Sequence, residues 1–275
     1  MKYVTVKGAS VPAIGLGTWR LSGRSGYDAV RTALDLGYRH IDTAEMYGND
    51  TEIGRAIRAS GIARETIFLT TKVSPGNLHA AAVTRSAEDS LRRLGLAYVD
   101  LLLVHWPSRE APLGETLAAF AALRAAGVTR HIGVSNFNVD LLREAVERHG
   151  ADLLCNQVEY HPYLAQQAVL AAVRRYGMML TAYAPVAKGR AVGDKALAAI
   201  GAKYGKSAAQ VSLRWLIDQD GVVAIPKAAS RDHLAANLDI FDFTLVPEDR
   251  AAIDALSRAD RLVDFGGWSP DWDRA

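Results

Sequence analysis

The sequence predicts an α/β fold of the (β/α)8 type, a TIM barrel, in one domain over residues 1–275. Three observations carry this. Short apolar runs alternate with longer stretches of helical period, which implies parallel strands joined by helical crossovers. Eight such units are spread over 275 residues, and this barrel typically takes ~250. Runs such as VDLLLVHW at 99–106 are apolar on both faces, as strands of a sheet covered on both sides should be. A doubly wound open sheet would usually show fewer strands and a glycine-rich turn after the first. Gly15 and Gly17 fall near that position, but no GxGxxG follows.

The elements follow in chain order. Residues 3–13 are expected to form a small hairpin closing the barrel bottom. The first strand is Ile14–Thr18, followed by a helix over 25–37. Tyr38–Asp42 and Ile67–Lys72 are the next strands, each followed by a helix, over 51–60 and 79–94. Val99–His105 leads to a helix at 114–126, His131–Ser135 to one at 138–149, and Leu153–Gln157 to one at 165–176. Met179–Tyr183 precedes a long helical stretch, 194–219, expected to break at Gly205 with Ser207 as the next N-cap. Val222–Ile225 is the eighth strand, with a helix at 231–237. A last helix is expected over 247–257, with Pro247 in its first turn.

Composition excludes several classes. There are 32 basic and 30 acidic residues, a formal net charge of +2, so no strong field marks a nucleic-acid or anionic-membrane partner. Apolar residues make up 49%, too many for a disordered chain. The single cysteine, Cys155, cannot form an intrachain disulfide, which fits a reducing compartment. No apolar run approaches the ~18 residues of a membrane span, and the start does not read as a signal peptide. A cytoplasmic protein is expected, with a monomer as the default. No linker divides the chain.

Polar residues cluster where strands end. Asp42, Lys72, His105, Ser135 with Asn136, Gln157 with Glu159, and Tyr183 close successive strands, and the eighth runs into Pro226 and Lys227. In a parallel barrel these ends share one face, which carries the active site. Singly, each has a bland reading: a satisfied edge histidine, a solvated lysine, a capping aspartate. A consecutive series is hard to explain as independent accidents. Asp42 and Lys72 come from neighbouring strands and are placed to pair. Tyr47 lies in the loop after Asp42. A nearby ammonium would lower its pKa from ~10 and bring the phenol closer to usable acid strength. His105 can donate to a substrate carbonyl. The set polarises and protonates a carbonyl but lacks a hydride, which a cofactor must supply.

These residues lie in GLGTW at 15–19, YRHIDTAEMYGND at 38–50, TTK at 70–72, VDLLLVHWP at 99–107, GVSNF at 133–137, NQVEYHP at 156–162, AYAP at 182–185 and IPKAASRDHLAANLDIFDF at 225–243. In these motifs, over nearly its whole length, the chain resembles the aldo-keto reductase superfamily. The short loop after Trp106 and the ending DRLVDFGGWSPDWD look like the bacterial 2,5-diketo-D-gluconate reductase type. The resemblance implies that Asp42, Tyr47, Lys72 and His105 are catalytic, with Tyr47 as general acid. It implies that Ser135, Asn136 and Gln157 hold the nicotinamide carboxamide and that Tyr183 stacks on its ring. Lys227, Ser230, His233 and Asn237 match the grip on the 2′-phosphate and adenine. Thr18, Trp19, Asp42 and Pro226 complete the implied cofactor contacts. Trp19 and Trp106, with Tyr47 and His105, would line the substrate pocket. Small dicarbonyls and keto-sugar acids such as 2,5-diketo-D-gluconate are the implied substrates. A barrel that only senses the cofactor is the alternative, and four retained reactive groups argue against it.

Some positions depart from the family pattern. His233 stands where arginine is usual, Ala236 where glutamate is usual, Ala228 where serine is frequent, and Asp50 replaces a glutamate. Arginine is a permanent cation, whereas histidine is mostly neutral at pH 7. The expectation is therefore NADP(H) preferred, with NAD(H) also used. Gly205-Lys206-Ser207 is not a P-loop, because Ile200 occupies the required glycine position. The seven histidines show no metal-ligand spacing, so no metal is expected. Trp268 and Trp272 are expected either to wall the pocket or to pack on the barrel.

Overall fold

The computed structural model describes residues 1–273. The chain opens with an antiparallel hairpin, β1 (Tyr3–Val6) and β2 (Ala9–Pro12). The main sheet follows, with β3 (Leu16–Gly17), β4 (His40–Asp42), β5 (Phe68–Val73), β6 (Val99–Val104), β7 (Thr129–Ser135), β8 (Cys155–Glu159), β9 (Met179–Tyr183) and β10 (Val222–Ala224). These eight strands are parallel and hydrogen-bond in sequence order. A parallel bridge between Ile14 and Ala224 joins the first to the last. There Gly15 N donates to Ala224 O at 2.9 Å, and Ala224 N donates to Ala13 O at 2.9 Å. The fold is therefore a (β/α)8 barrel, as expected. The first strand is shorter than its apolar run because it reaches its two neighbours at different points along its length.

Helices wrap the outside: α1 (Gly23–Asp35), α2 (Asp50–Ala59), α3 (Ala80–Leu94), α4 (Leu113–Ala125), α5 (Val139–Arg143), α6 (Gln167–Arg175), α7 (Lys195–Ala202), α8 (Ala208–Ile217), α9 (Arg231–Leu238) and α10 (Pro247–Asp254). Their inner faces build the main apolar core against the outward residues of the strands, for example Ile53, Val83, Phe120, Leu142 and Val211. Gly54 lets α2 approach α3 closely, since a Cβ there would overlap the Leu94 carbonyl. The long stretch at 194–219 breaks where the sequence indicated. Gly205 takes φ +66°, and Ser207 caps α8 in a reciprocal capping box with Gln210. The helix expected over 138–149 is instead α5 followed by a wide π turn, Glu144–Arg148.

A second apolar cluster lies inside the barrel at its lower end. Val4, Ala9 and Val11 of the hairpin meet Phe68, Leu101, Leu103, Leu154, Cys155, Met179 and Val223. The hairpin thus closes the barrel bottom, as expected from residues 3–13. Cys155 is part of this layer, and burial pushes its thiol up to about 12, so it packs as a small hydrophobe. The strand ends at the other side carry the polar residues. No described helix is long and apolar enough to cross a membrane.

Candidate active site

Adjacent strands bring the predicted polar residues together. Gly17 pairs with Asp42 across β3 and β4, and Ser135 pairs with Gln157 across β7 and β8. Lys72, near the end of β5, is fully buried and donates from Nζ to Asp42 Oδ1 at 2.5 Å and to Thr43 O at 2.8 Å. Asp42 Oδ2 accepts from Gln157 Nε2 at 2.7 Å. Both carboxylate oxygens are thus engaged, as a buried charge requires. Thr18 anchors the first strand by donating its backbone N and Oγ1 to Asp42 O, each at 3.0 Å.

Tyr47 sits in a short 3₁₀ turn, Glu45–Tyr47, held at the mouth. Its ring lies 5.1 Å from Lys72 Nζ, measured to the ring centroid, and meets the His105 ring edge-on at 5.6 Å. The four side chains therefore form one group. An ammonium has three donors, and two of Lys72's are occupied, which leaves one on a cation beside the Tyr47 ring.

The electrostatics differ from the sequence expectation at one point. Burial pushes the Tyr47 phenol well above its usual value, and the Asp42 charge adds to this. The expected lowering by Lys72 is overturned. The ammonium's field is largely answered by Asp42, so desolvation of the phenolate wins. His105 moves the other way. Burial, helped by Lys72, holds it well below 6.5, so its ring is neutral at neutral pH. Its Nδ1 is buried with no partner among the described residues. A bare lone pair is tolerated there better than an orphan N–H, which favours the tautomer with the proton on Nε2. Burial also pulls the Lys72 ammonium down, against the opposing pull of Asp42.

A hydrogen-bonded ladder continues beside this group. Ser135 Oγ donates to Gln157 O at 2.8 Å, and Asn136 Nδ2 donates to His105 O at 2.9 Å. Asn136 takes φ +62°, a left-handed conformation that asparagine tolerates. Tyr183 OH donates to Asn136 Oδ1 at 2.8 Å, so its half-buried ring is fixed next to the ladder. Asn156 braces the same loop from below, donating to Phe137 O at 2.8 Å.

The remaining implied cofactor residues lie after β10. Pro226 is buried and accepts from Gly17 N at 3.1 Å, while Lys227 is exposed. Ser230 caps α9 through its side chain, and His233 is exposed on the first turn. Asn237 is half-buried on the same helix. Arg231, between Ser230 and His233 in this cluster, is also exposed and was not singled out from the sequence. Its signal was its position directly after the cap. A helix N-terminus beside two exposed cations suits a phosphate.

Trp19 is 40% exposed at the mouth, with Arg20 and Lys188 near its ring. Trp106 is only 3% exposed. Phe265 and Trp272 cover it, with ring centroids at 5.3 and 6.1 Å. Of the two undecided tryptophans, Trp272 packs on Trp106, and Trp268 lies farther out against Phe265. The tail that carries them is pinned by Glu159, whose fully buried carboxylate accepts from Leu262 N at 2.8 Å and Val263 N at 2.9 Å. His161 meets the same carboxylate at 3.0 Å. Glu159 was visible in the sequence as a strand-end acid, but its grip on the tail was not. Among the described residues no cluster of side chains suits a metal ion.

The Aldo/keto reductase family pattern matches residues 13–258. The chain belongs to this family. It is 40% identical to methylglyoxal reductase DkgB of Escherichia coli O157:H7, over 96% of this chain and 100% of that protein. It is 41% identical to an aldo-keto reductase of Mycolicibacterium smegmatis, over 93% of each. Among solved structures, one named for a 2,5-diketo-D-gluconic acid reductase B superposes with a TM-score of 0.97. That structure is 46% identical and covers 100% of this chain and 98% of its own. Aldose reductase from Schistosoma japonicum superposes at 0.93 with 29% identity, over 98% of this chain and 96% of that one. The chain is therefore an oxidoreductase of the aldo-keto reductase type, a family of carbonyl reductases that generally use NAD(P)H.

Proposed function

We propose that this chain reduces aldehydes and ketones to alcohols, with NADPH preferred, NADH also accepted, and Tyr47 as the proton donor. Small dicarbonyls and keto-sugar acids are the proposed substrates, on the strength of the names its relatives carry. The single observation that carries the mechanism is the grouping of buried Asp42, Lys72 and His105 with half-buried Tyr47.

The donor set fits a nicotinamide nucleotide. Ser135, Asn136 and Gln157 present amide and hydroxyl groups beside the Tyr183 ring, which suits a carboxamide on a flat ring. Lys227, Arg231 and the first turn of α9 suit a 2′-phosphate, with His233 adding charge only when protonated. When bound, the reduced nucleotide supplies the hydride that no side chain here can provide.

The protein's own groups do the rest. His105, neutral and protonated on Nε2, donates a hydrogen bond to the substrate carbonyl oxygen and orients it. Tyr47 transfers its phenolic proton to that oxygen as negative charge develops there. Lys72 offers its remaining donor to the resulting phenolate and stabilises it. Asp42 and the Thr43 carbonyl hold Lys72 in place, and Gln157 holds Asp42. Trp19 forms the open wall of the substrate site.

The proposal includes one barrel domain over residues 1–275. A reducing, cytoplasmic setting is supported by the lone, buried Cys155. Tyr47→Phe is the direct test. Loss of a positioned general acid costs on the order of 10²–10⁴ in rate, while NADPH binding, read by tryptophan fluorescence, should stay near the wild-type value. A fully active Tyr47→Phe enzyme would refute the assignment.

A further inference from the structure

Among the described residues the Arg261 guanidinium forms no salt bridge. Its guanidinium carbon lies 3.6 Å from the centroid of the Trp272 ring, and Trp272 meets Trp106, the residue next to His105. Nη1 of Arg261 is buried and has no hydrogen-bond partner among the described residues. A buried guanidinium N–H left in that state is costly unless a ligand satisfies it.

The side chain is held there by its backbone. Glu159 takes the amides of Leu262 and Val263, and Asp260 N donates to Tyr163 O at 3.0 Å. Lys188 Nζ donates to Leu262 O at 2.8 Å, and Arg190 pairs with Asp260 at 2.7 Å. The segment is thus clasped from both sides, and Arg261 is presented rather than free to swing. The groups that act on its charge are Tyr183, Glu159, Asp264 and Asp273. Glu159 is already committed to the two tail amides and His161. Tyr183 belongs to the ladder beside the catalytic group, so the guanidinium lies within electrostatic reach of the site.

We propose that Arg261 is a specificity-determining residue that takes the carboxylate of an oxo-acid substrate whose reacting carbonyl sits at Tyr47 and His105. One face of the guanidinium is stacked on Trp272, and its edge carries the N–H fork that matches a carboxylate in a bidentate pair. Arginine remains charged at any working pH, so this preference persists wherever the enzyme is active. The inference rests on the reductase reading above and deepens it. It favours carbonyl compounds bearing a carboxylate over neutral ones of the same size.

The test uses the full chain, NADPH and a matched pair of substrates, 4-carboxybenzaldehyde and 4-nitrobenzaldehyde. The readout is the ratio of kcat/KM for the acid to that for the nitro compound. Arg261→Gln should lower this ratio tenfold or more, mainly through KM of the acid, and Arg261→Lys should recover part of it. In the wild type, benzoate should compete with the nitro compound better than benzamide does, a readout that needs no variant. An unchanged ratio with brisk turnover overturns the proposal alone. So does an equal loss on both aldehydes with weakened NADPH binding, which would assign the guanidinium to the nucleotide's phosphates. Absence of turnover on either aldehyde in the wild type overturns the reductase reading as well.

Discussion

Lys72→Met isolates the energetic role of the buried ion pair. Both side chains are almost wholly sealed from water, at 0% exposure for Lys72 and 2% for Asp42. Removing one partner of such a pair strands the other charge and costs roughly 3–5 kcal/mol. For a chain of this size about 2–4 °C is lost per kcal/mol, so Tm should fall by about 6–20 °C. Asp42→Asn keeps an acceptor for Gln157 but leaves Lys72 facing the Thr43 carbonyl alone. Burial pulls the Lys72 ammonium towards its neutral form, which eases the stranded charge, so that variant loses somewhat less than Lys72→Met. The double variant carries neither charge. What remains lost is a polar contact or two, worth about 1–2 kcal/mol. The double-mutant cycle should therefore show a coupling of several kcal/mol, with the double variant more stable than Lys72→Met. Thermal unfolding followed by circular dichroism measures all four proteins. A Lys72→Met protein within about 2 °C of wild type, under the same conversion, would refute the reasoning. So would a double variant that loses the sum of the singles.

Two further outcomes follow from the same structure. Burial holds both His40 and His105 below 6.5, so between that value and their folded values the unfolded chain binds protons that the folded chain does not. Stability is then full above 6.5 and lost as pH falls, by about 1.4 kcal/mol per pH unit for each histidine and ~2.7 for both. Urea midpoints at about pH 5 and pH 7 check this, and equal midpoints would contradict it. His233→Arg adds a permanent cation on the first turn of α9, beside Lys227 and Arg231. The NADPH-to-NADH ratio of kcat/KM should rise about tenfold, the worth of one charge-assisted hydrogen bond. A ratio that does not move would place the 2′-phosphate elsewhere.

The site was legible because a parallel barrel converts sequence order into spatial order. Asp42, Lys72, His105, Ser135 and Gln157 lie far apart in the chain but each closes a strand, and consecutive strands are neighbours. That inference needs only apolar runs and the residue at the end of each. It gave no access to the tail beyond α10, which has no periodicity and whose described residues form no regular element. The contact that fixes it, Glu159 with Leu262, spans 103 residues. Trp106 illustrates the consequence. The family resemblance implies that it walls the substrate pocket, and the tail's Phe265 and Trp272 cover it. Helix ends with chemical markers, Ser207 and Pro247, fell where their caps put them.

The overturned expectation for Tyr47 has a physical lesson that bears on the direction of the reaction. A pairwise view of phenol beside ammonium counts one attraction and predicts a stronger acid. Burial opposes that attraction twice, by stripping water from the phenolate and by setting it near the Asp42 charge. At neutral pH the surrounding groups therefore hold Tyr47 protonated and His105 neutral. A carbonyl oxygen entering between them meets two donors and no negative charge, with one cation behind the phenol. On the proposed reading, that arrangement is complementary to an oxygen gaining negative charge, which is the direction of reduction. Oxidation of an alcohol would need the phenolate first, and both the desolvation and the Asp42 charge that keep Tyr47 protonated oppose it.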